Sequence, residues 1–286
     1  MTSSERQRAK SRIELLAEKQ AQLPKFQRKL YGPTSLSGVQ TLVSNPNELC
    51  NFLLSPVPKD MVFQAELFHK HSLFGEKKVV LMIRVDSDEF QSRGTHIPIA
   101  TATKKRKSSK LNYHIDLPDG NLVAKLREKF RGQFILYDNG ANPENKKKSF
   151  GRDIRKQIGG CRITNIGALE PIKMRSLFPN AEKIEDVSDV DYLFHLEENL
   201  EVSSAFYVDS VLASRTKGTG RHTLHFEYSG NIERIASTHN FIMANRSDDT
   251  KALQMGKFDK KQYILDVNHP LTPLQGLFLA LCHFHG

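Results

Sequence analysis

Four cations in succession, Lys104, Lys105, Arg106 and Lys107, stand between an alternating stretch (HIPIATAT) and a second strand-like stretch (LNYHIDL). Cations grip anions. Arginine offers a planar fork that matches phosphate or carboxylate, and lysine a mobile point charge. On an extended chain, successive side chains point to opposite faces. Lys104 and Arg106 then share one face, about 7 Å apart, and Lys105 and Lys107 the other. The anion met by such a run is nucleic acid, a lipid headgroup or only water, since lysine-rich edge strands discourage aggregation. The run also fits a nuclear localisation signal.

Other chemistry is poorly supported. The 11 histidines include HKH at 69–71 and CHFHG at 282–286, spaced i, i+2 without acidic or cysteine partners suited to a metal. KGTGRH completes neither a dinucleotide nor a phosphate-loop fingerprint. Neither a nucleophile elbow nor a His-Glu-x-x-His helix is present, so an enzyme is not expected. Cys50, Cys161 and Cys282 are too far apart in sequence for a zinc knuckle, and their odd number argues against a disulfide framework. No cofactor is implied.

The 286 residues carry a net charge of +10 and 38% hydrophobic residues, enough for a real core and a bias toward acidic partners. MTSSERQRAKSR has no apolar stretch of signal-peptide type, and no run reaches the roughly 18 apolar residues of a membrane span, so any membrane contact is expected to be peripheral. The spacing predicts a helix over 4–23. Ser4 and Gln7 fit a capping box, Pro24 supplies the stop, and Ile13, Leu16 and Leu23 form a narrow stripe among Arg12 and other cations. Such a helix docks in a partner's groove, lies on a membrane or remains solvated. Residues 25–60, with four prolines, read as a linker with at most one short helix near NELCNFLL.

From Met61 onward, segments of strand length recur: MVFQAELF, KKVVLMIRV, HIPIATAT, LNYHIDL, QFILYD, CRITNIGAL, PIKMRSL, AFYVDSVLA, RHTLHFEYSG, RIASTHNFIMA, ALQMGKF and QYILDV. NLVAKLREKFRG reads as a helix, with Leu122, Leu126 and Phe130 at i, i+4 and i+8 and Gly132 as its C-cap. Residues 180–202 are acidic and read as a solvated segment. HPLTPLQGLFLALCHFHG is apolar all round, as a helix buried on every side must be. Many strands followed by one such helix predict a mainly β (α+β) fold. It is a closed antiparallel barrel of about twelve strands around a central C-terminal helix. The expected organisation is a basic helix over 1–24, a linker over 25–60 and a barrel over 61–286.

Several stretches, in order, resemble the tubby family: TKKRKSSKLNY, VAKLREKFRGQFILYDNGANP, GALEPIKMRSLFP, THNFIMA, LQMGKF and YILDVNHPLTPLQGLFLAL. The resemblance covers about Met61 to Phe284. The chain departs from the family pattern in ELFHKHSLFGEKK, in the acidic segment and in SRTKGTG, and it has no tryptophan.

The resemblance implies a site for phosphatidylinositol 4,5-bisphosphate in the inner leaflet. Lys104 and Arg106 align with phosphoinositide-contacting residues, and Arg127 with an arginine of the neighbouring helix that joins the same pocket. Lys105, Lys107, Lys125, Lys129 and Arg131 add charge nearby, as does NKKKS at 145–149. ERQRAKSRIELLAEKQ is similar to the helix by which ciliary tubby proteins hold intraflagellar transport complex A. Together these imply an adaptor that links ciliary membrane cargo to that complex, in the cytoplasm at the plasma membrane and cilium. The alternative is a nucleic-acid-binding or transcription-linked nuclear protein that uses the same basic surface. It would need a broad groove and aromatic platforms.

Overall fold

The computed structural model describes residues 29–71, 77–85, 94–105, 110–142, 153–164, 172–179, 205–215, 222–227 and 234–285. The expected N-terminal helix, with Arg12, Ile13, Leu16 and Leu23, lies outside these residues. So do Arg106, Lys107, residues 146–148 and the acidic 180–202 segment.

The chain opens with a two-residue strand, β1 (Lys29–Leu30), and two helices, α1 (Leu36–Ser44) and α2 (Pro46–Leu54). Nine strands follow: β2 (Met61–His71), β3 (Lys77–Val85), β4 (Thr95–Lys104), β5 (Asn112–Asp116), β6 (Leu122–Phe130), β7 (Gln133–Asp138), β8 (Gln157–Thr164), β9 (Lys173–Pro179) and β10 (Ala205–Ser210). A small ladder of β11 (Ser214–Arg215) and β12 (His222–Thr223) stands apart. β13 (Phe241–Asn245), β14 (Lys251–Asp259), β15 (Gln262–Asn268) and the helix α3 (Pro273–His283) complete the order.

Among the described residues twelve strands form an antiparallel ring. β2 to β10 pair in sequence, β10 pairs with β13, and β13, β14 and β15 lead back to β2. β2 closes the ring because its second half pairs with β3 while Val62–Phe68 pairs with β15. β1 lies parallel to the start of β2. Closure leaves the ring itself without an unpaired edge, the usual liability of a large sheet.

The lumen is filled by α3. All eleven of its residues are buried. At about 1.5 Å per residue it rises roughly 16 Å, the length of a five-residue strand, so it spans the barrel wall. Its start is fixed by a capping box. Gln275 N donates to the Thr272 hydroxyl, and Gln275 Oε1 accepts from Thr272 N. The Gln275 amide also donates to the Ile158 carbonyl of β8 at 3.1 Å, tying the cap to the wall. Phe278 meets Phe178 edge-to-face with ring centres 6.1 Å apart.

Two expectations are corrected. Residues 36–54 hold two helices rather than at most one, capped by Ser35 and Asn45, and Val39, Leu49, Leu53 and Val57 enter the same core as α3. Val57 N donates to the Leu271 carbonyl, so this layer lies against the start of α3. The second correction concerns NLVAKLREKF, which is strand β6, paired on both sides with β5 and β7. Gly132 does adopt a left-handed conformation (φ +76), but in the hairpin turn between β6 and β7.

A candidate anion-binding site on the outer wall

The register of β4, β5, β6 and β7 decides which basic residues meet. Lys104 pairs with Tyr113, which pairs with Leu126. Tyr113 and Leu126 are fully buried members of the core, so this row faces the lumen. The next row faces out: Thr103, His114, Lys125 and Tyr137 are cross-strand partners. Asn112 and Arg127, paired one step along, share that face. Lys105 N donates to the Asn112 carbonyl, carrying Lys105 into the outer set.

Alternation therefore operates, but with the opposite parity to the expected outward pair. Lys105, not Lys104, stands on the face of Arg127. The charges agree with this geometry. Burial and then Lys105, Arg127 and Lys125 push His114 down to about 4. Lys104 instead acts on His285 beyond the end of α3, which burial, Lys104, Lys77, His69 and His239 hold at about 4. His285 Nε2 lies 2.7 Å from the Tyr113 hydroxyl. Lys104 thus sits at the rim of the barrel mouth, and Lys105 on the wall beside it. Arg106 and Lys107 lie outside the described residues.

A third cation joins Lys105 and Arg127 from a distant part of the sequence. Residues 153–156 run against the outer side of β7, with Ala141 and Ile154 forming an isolated parallel bridge. There the Arg155 guanidinium lies over the Tyr137 ring, 4.1 Å from its centre. Two features of YDNG permit the approach. A Cβ on Gly140 would fall 2.4 Å from Arg155 Cα, so only glycine allows the two backbones to lie so close. Asp138 Oδ1 accepts from Gly140 N at 2.9 Å and from Lys156 N at 3.0 Å, stitching the turn to the returning strand.

Lys125 has a positioning part. Its ammonium donates to the carbonyls of Gly140 (2.9 Å) and Asn139 (3.3 Å), holding the same turn from the other side. Burial, Arg127 and Arg155 lower its pKa, against a smaller opposing pull from Asp138. Burial and Arg155 likewise lower that of Arg127. Three acids lie near: Asp138 is committed to backbone as above, Glu128 Oε2 accepts from Leu111 N at 2.8 Å, and Asp116, whose carboxyl pKa burial raises, feels the opposing pull of Lys105 and Lys78. Among the described residues Lys105, Arg127 and Arg155 form no ion pair. Like charges gathered without ion pairs are mutually destabilising, and a bound polyanion relieves that cost.

The sequence reading brought out Lys105, Lys125 and Arg127, and the structure joins them. It did not bring out Arg155 or His114. His114 was findable, since it alternates with Asn112 and Asp116 in LNYHIDL. Arg155 carries no local signal, because its place depends on the chain returning over Tyr137. Elsewhere among the described residues no three metal-ligating side chains converge, and no helix is long and apolar enough to cross a membrane.

A closed antiparallel barrel threaded by an apolar helix defines the class. The chain belongs to the Tub family, whose model matches residues 53–286. It is similar to tubby protein homolog 1 of Caenorhabditis briggsae (25% identity over 263 residues, 84% of this chain and 61% of the relative). It is similar also to tubby-related protein 3 of Homo sapiens (23% identity over 270 residues, 88% of this chain and 60% of the relative). The chain thus spans about three-fifths of the length of these relatives.

Proposed function

We propose that this protein is a peripheral membrane adaptor whose barrel binds phosphatidylinositol 4,5-bisphosphate through the outer face of β4–β6. The observation that carries this reading is the gathering of Lys105, Arg127 and Arg155 on one face, with no ion-pair partner among the described residues. Two arginine forks and a lysine suit a ligand with several phosphates held close together. Binding should be tested by co-sedimentation with vesicles that contain the bisphosphate lipid, against phosphatidylserine vesicles of equal surface charge and against duplex DNA. Preference for the bisphosphate vesicles supports the reading. Equal binding to both vesicles reduces it to diffuse attraction, and tighter, steeply salt-dependent DNA binding replaces it with the nucleic-acid reading.

The second half of the adaptor rests on the N-terminal segment, through its likeness to the helix that engages intraflagellar transport complex A. Ile13→Asp with Leu16→Asp is expected to abolish pull-down of that complex while leaving vesicle binding intact. Loss of vesicle binding from the same change would make the segment a membrane-lying helix, and no effect on either would remove the partner half of the proposal.

A further inference from the structure

We infer that Phe130, at the tip of the β6–β7 hairpin, inserts into the bilayer beside the headgroup site; the inference rests on the lipid-binding reading above and adds a second point of contact. Phe130 is the most exposed large hydrophobic side chain among the described residues, at 70% of its full exposure. Single exposed apolar residues are ordinary on protein surfaces. Three further observations set this one apart.

The first is its place. Phe130 lies on the same strand as Arg127, three residues on, or about 10 Å along β6. It points the way to the mouth where Lys104 and the end of α3 lie, away from the layer formed by α1 and α2. A protein that grips a headgroup with Arg127 brings this hairpin tip to the membrane.

The second is its surroundings. The Lys110 ammonium lies 5.8 Å from the centre of the Phe130 ring and donates to the Lys129 carbonyl at 2.8 Å. Arg131, exposed, follows in the turn. An aromatic ring flanked by three cations matches the chemistry of an anionic interface. The ring enters the boundary between headgroups and acyl chains while the cations remain among the phosphates.

The third is rigidity. Ile163 N donates to the Gly132 carbonyl at 2.7 Å, pinning the turn to the end of β8. Gly132 is left-handed, and a Cβ there would fall 2.8 Å from the Ile163 carbonyl oxygen. The backbone of the tip is therefore held by its neighbour, which lowers the ordering cost of presenting the ring at binding.

The chain contains no tryptophan, which makes a direct test available. In the full chain, Phe130→Trp places a single indole at the tip, and Leu212→Trp, at another exposed apolar position, serves as control. Bisphosphate-lipid vesicles should shift Phe130→Trp emission to the blue and expose it to quenching by brominated acyl chains, while Leu212→Trp emission stays unchanged. Phe130→Ser should weaken vesicle binding about tenfold, in keeping with loss of one buried aromatic side chain. Its affinity for soluble inositol 1,4,5-trisphosphate should be unaltered. Native-like vesicle binding by Phe130→Ser, or an unmoved indole on bound protein, would overturn insertion and leave the headgroup site standing. Failure of the native protein to bind either vesicles or the soluble headgroup would overturn both.

Discussion

The Arg155 guanidinium lies over the Tyr137 ring, 4.1 Å from its centre. The ring holds the guanidinium close enough to Arg127 and Lys125 to lower the pKa of each, so the three cations can meet one anion. Arg155→Ala is therefore expected to weaken bisphosphate-lipid binding about tenfold, the loss typical of one charge-assisted contact. Arg155→Lys should recover little of it, because an ammonium neither stacks as a plane nor presents a fork. Vesicle titration of the two variants measures both.

Gly140→Ala tests how that arginine is placed. The added Cβ would meet Arg155 Cα at 2.4 Å, so the returning segment must shift. Lipid binding should fall as in Arg155→Ala, with thermal melting of the barrel changed much less than by a core substitution. Unchanged binding would show that the close approach does not position the fork.

Register supplies a contrast between neighbours. Lys105 stands on the wall with Arg127, whereas Lys104 pairs across to Tyr113 and acts on His285. Lys105→Ala should cost more lipid affinity than Lys104→Ala, with stability changed by no more than about 0.5 kcal/mol for the exposed lysine. Parallel vesicle and denaturation curves measure the difference, and the reverse order would return the site to the barrel rim.

Histidine titration gives a pH signature. His114, His283 and His285 are each held at about 4 in the folded protein, mainly by burial. In the unfolded chain each titrates near 6.5. Between those values the unfolded state binds more protons, so stability rises with pH through that window and is lost on acidification. Melting temperature should fall from pH 7 to pH 5. A phosphate-rich ligand offsets the cations around His114, so ligand should raise the His114 pKa, read from its imidazole resonances.

The core makes a demand of a different size. Phe278 is fully buried in the lumen, against Phe178. Phe278→Ala should cost about 3–5 kcal/mol, measurable by chemical denaturation, because a closed ring cannot collapse onto the space.

What the sequence disclosed follows the range of the forces involved. α3 was legible because a helix apolar on every side has only one kind of home, and the closed ring followed from it. β6 was misread because Leu122, Leu126 and Phe130 are spaced by four, which fits a helical turn and an alternating strand equally, and its lysines, arginine and glutamate favour helices. Pairing with β5 and β7 settled the matter, and pairing is not local. The same fact explains RHTLHFEYSG, expected as a wall strand. Among its described residues only His222–Thr223 is strand, paired with β11 outside the ring. The count of twelve survived because β6 took the missing place. In the site, Arg127 and Lys105 were visible as charges, but the parity of Lys104 and Lys105 depended on where β4 meets β5, and Arg155 depended on a chain reversal.

The most direct test of the account is calorimetric titration of soluble inositol 1,4,5-trisphosphate into the native protein and into a Lys105→Ala, Arg127→Ala double variant. The outer-wall site predicts saturable binding to the native chain, at least a hundredfold weaker in the variant, with the melting transition of the unliganded protein preserved. Undiminished binding by a folded double variant would contradict it.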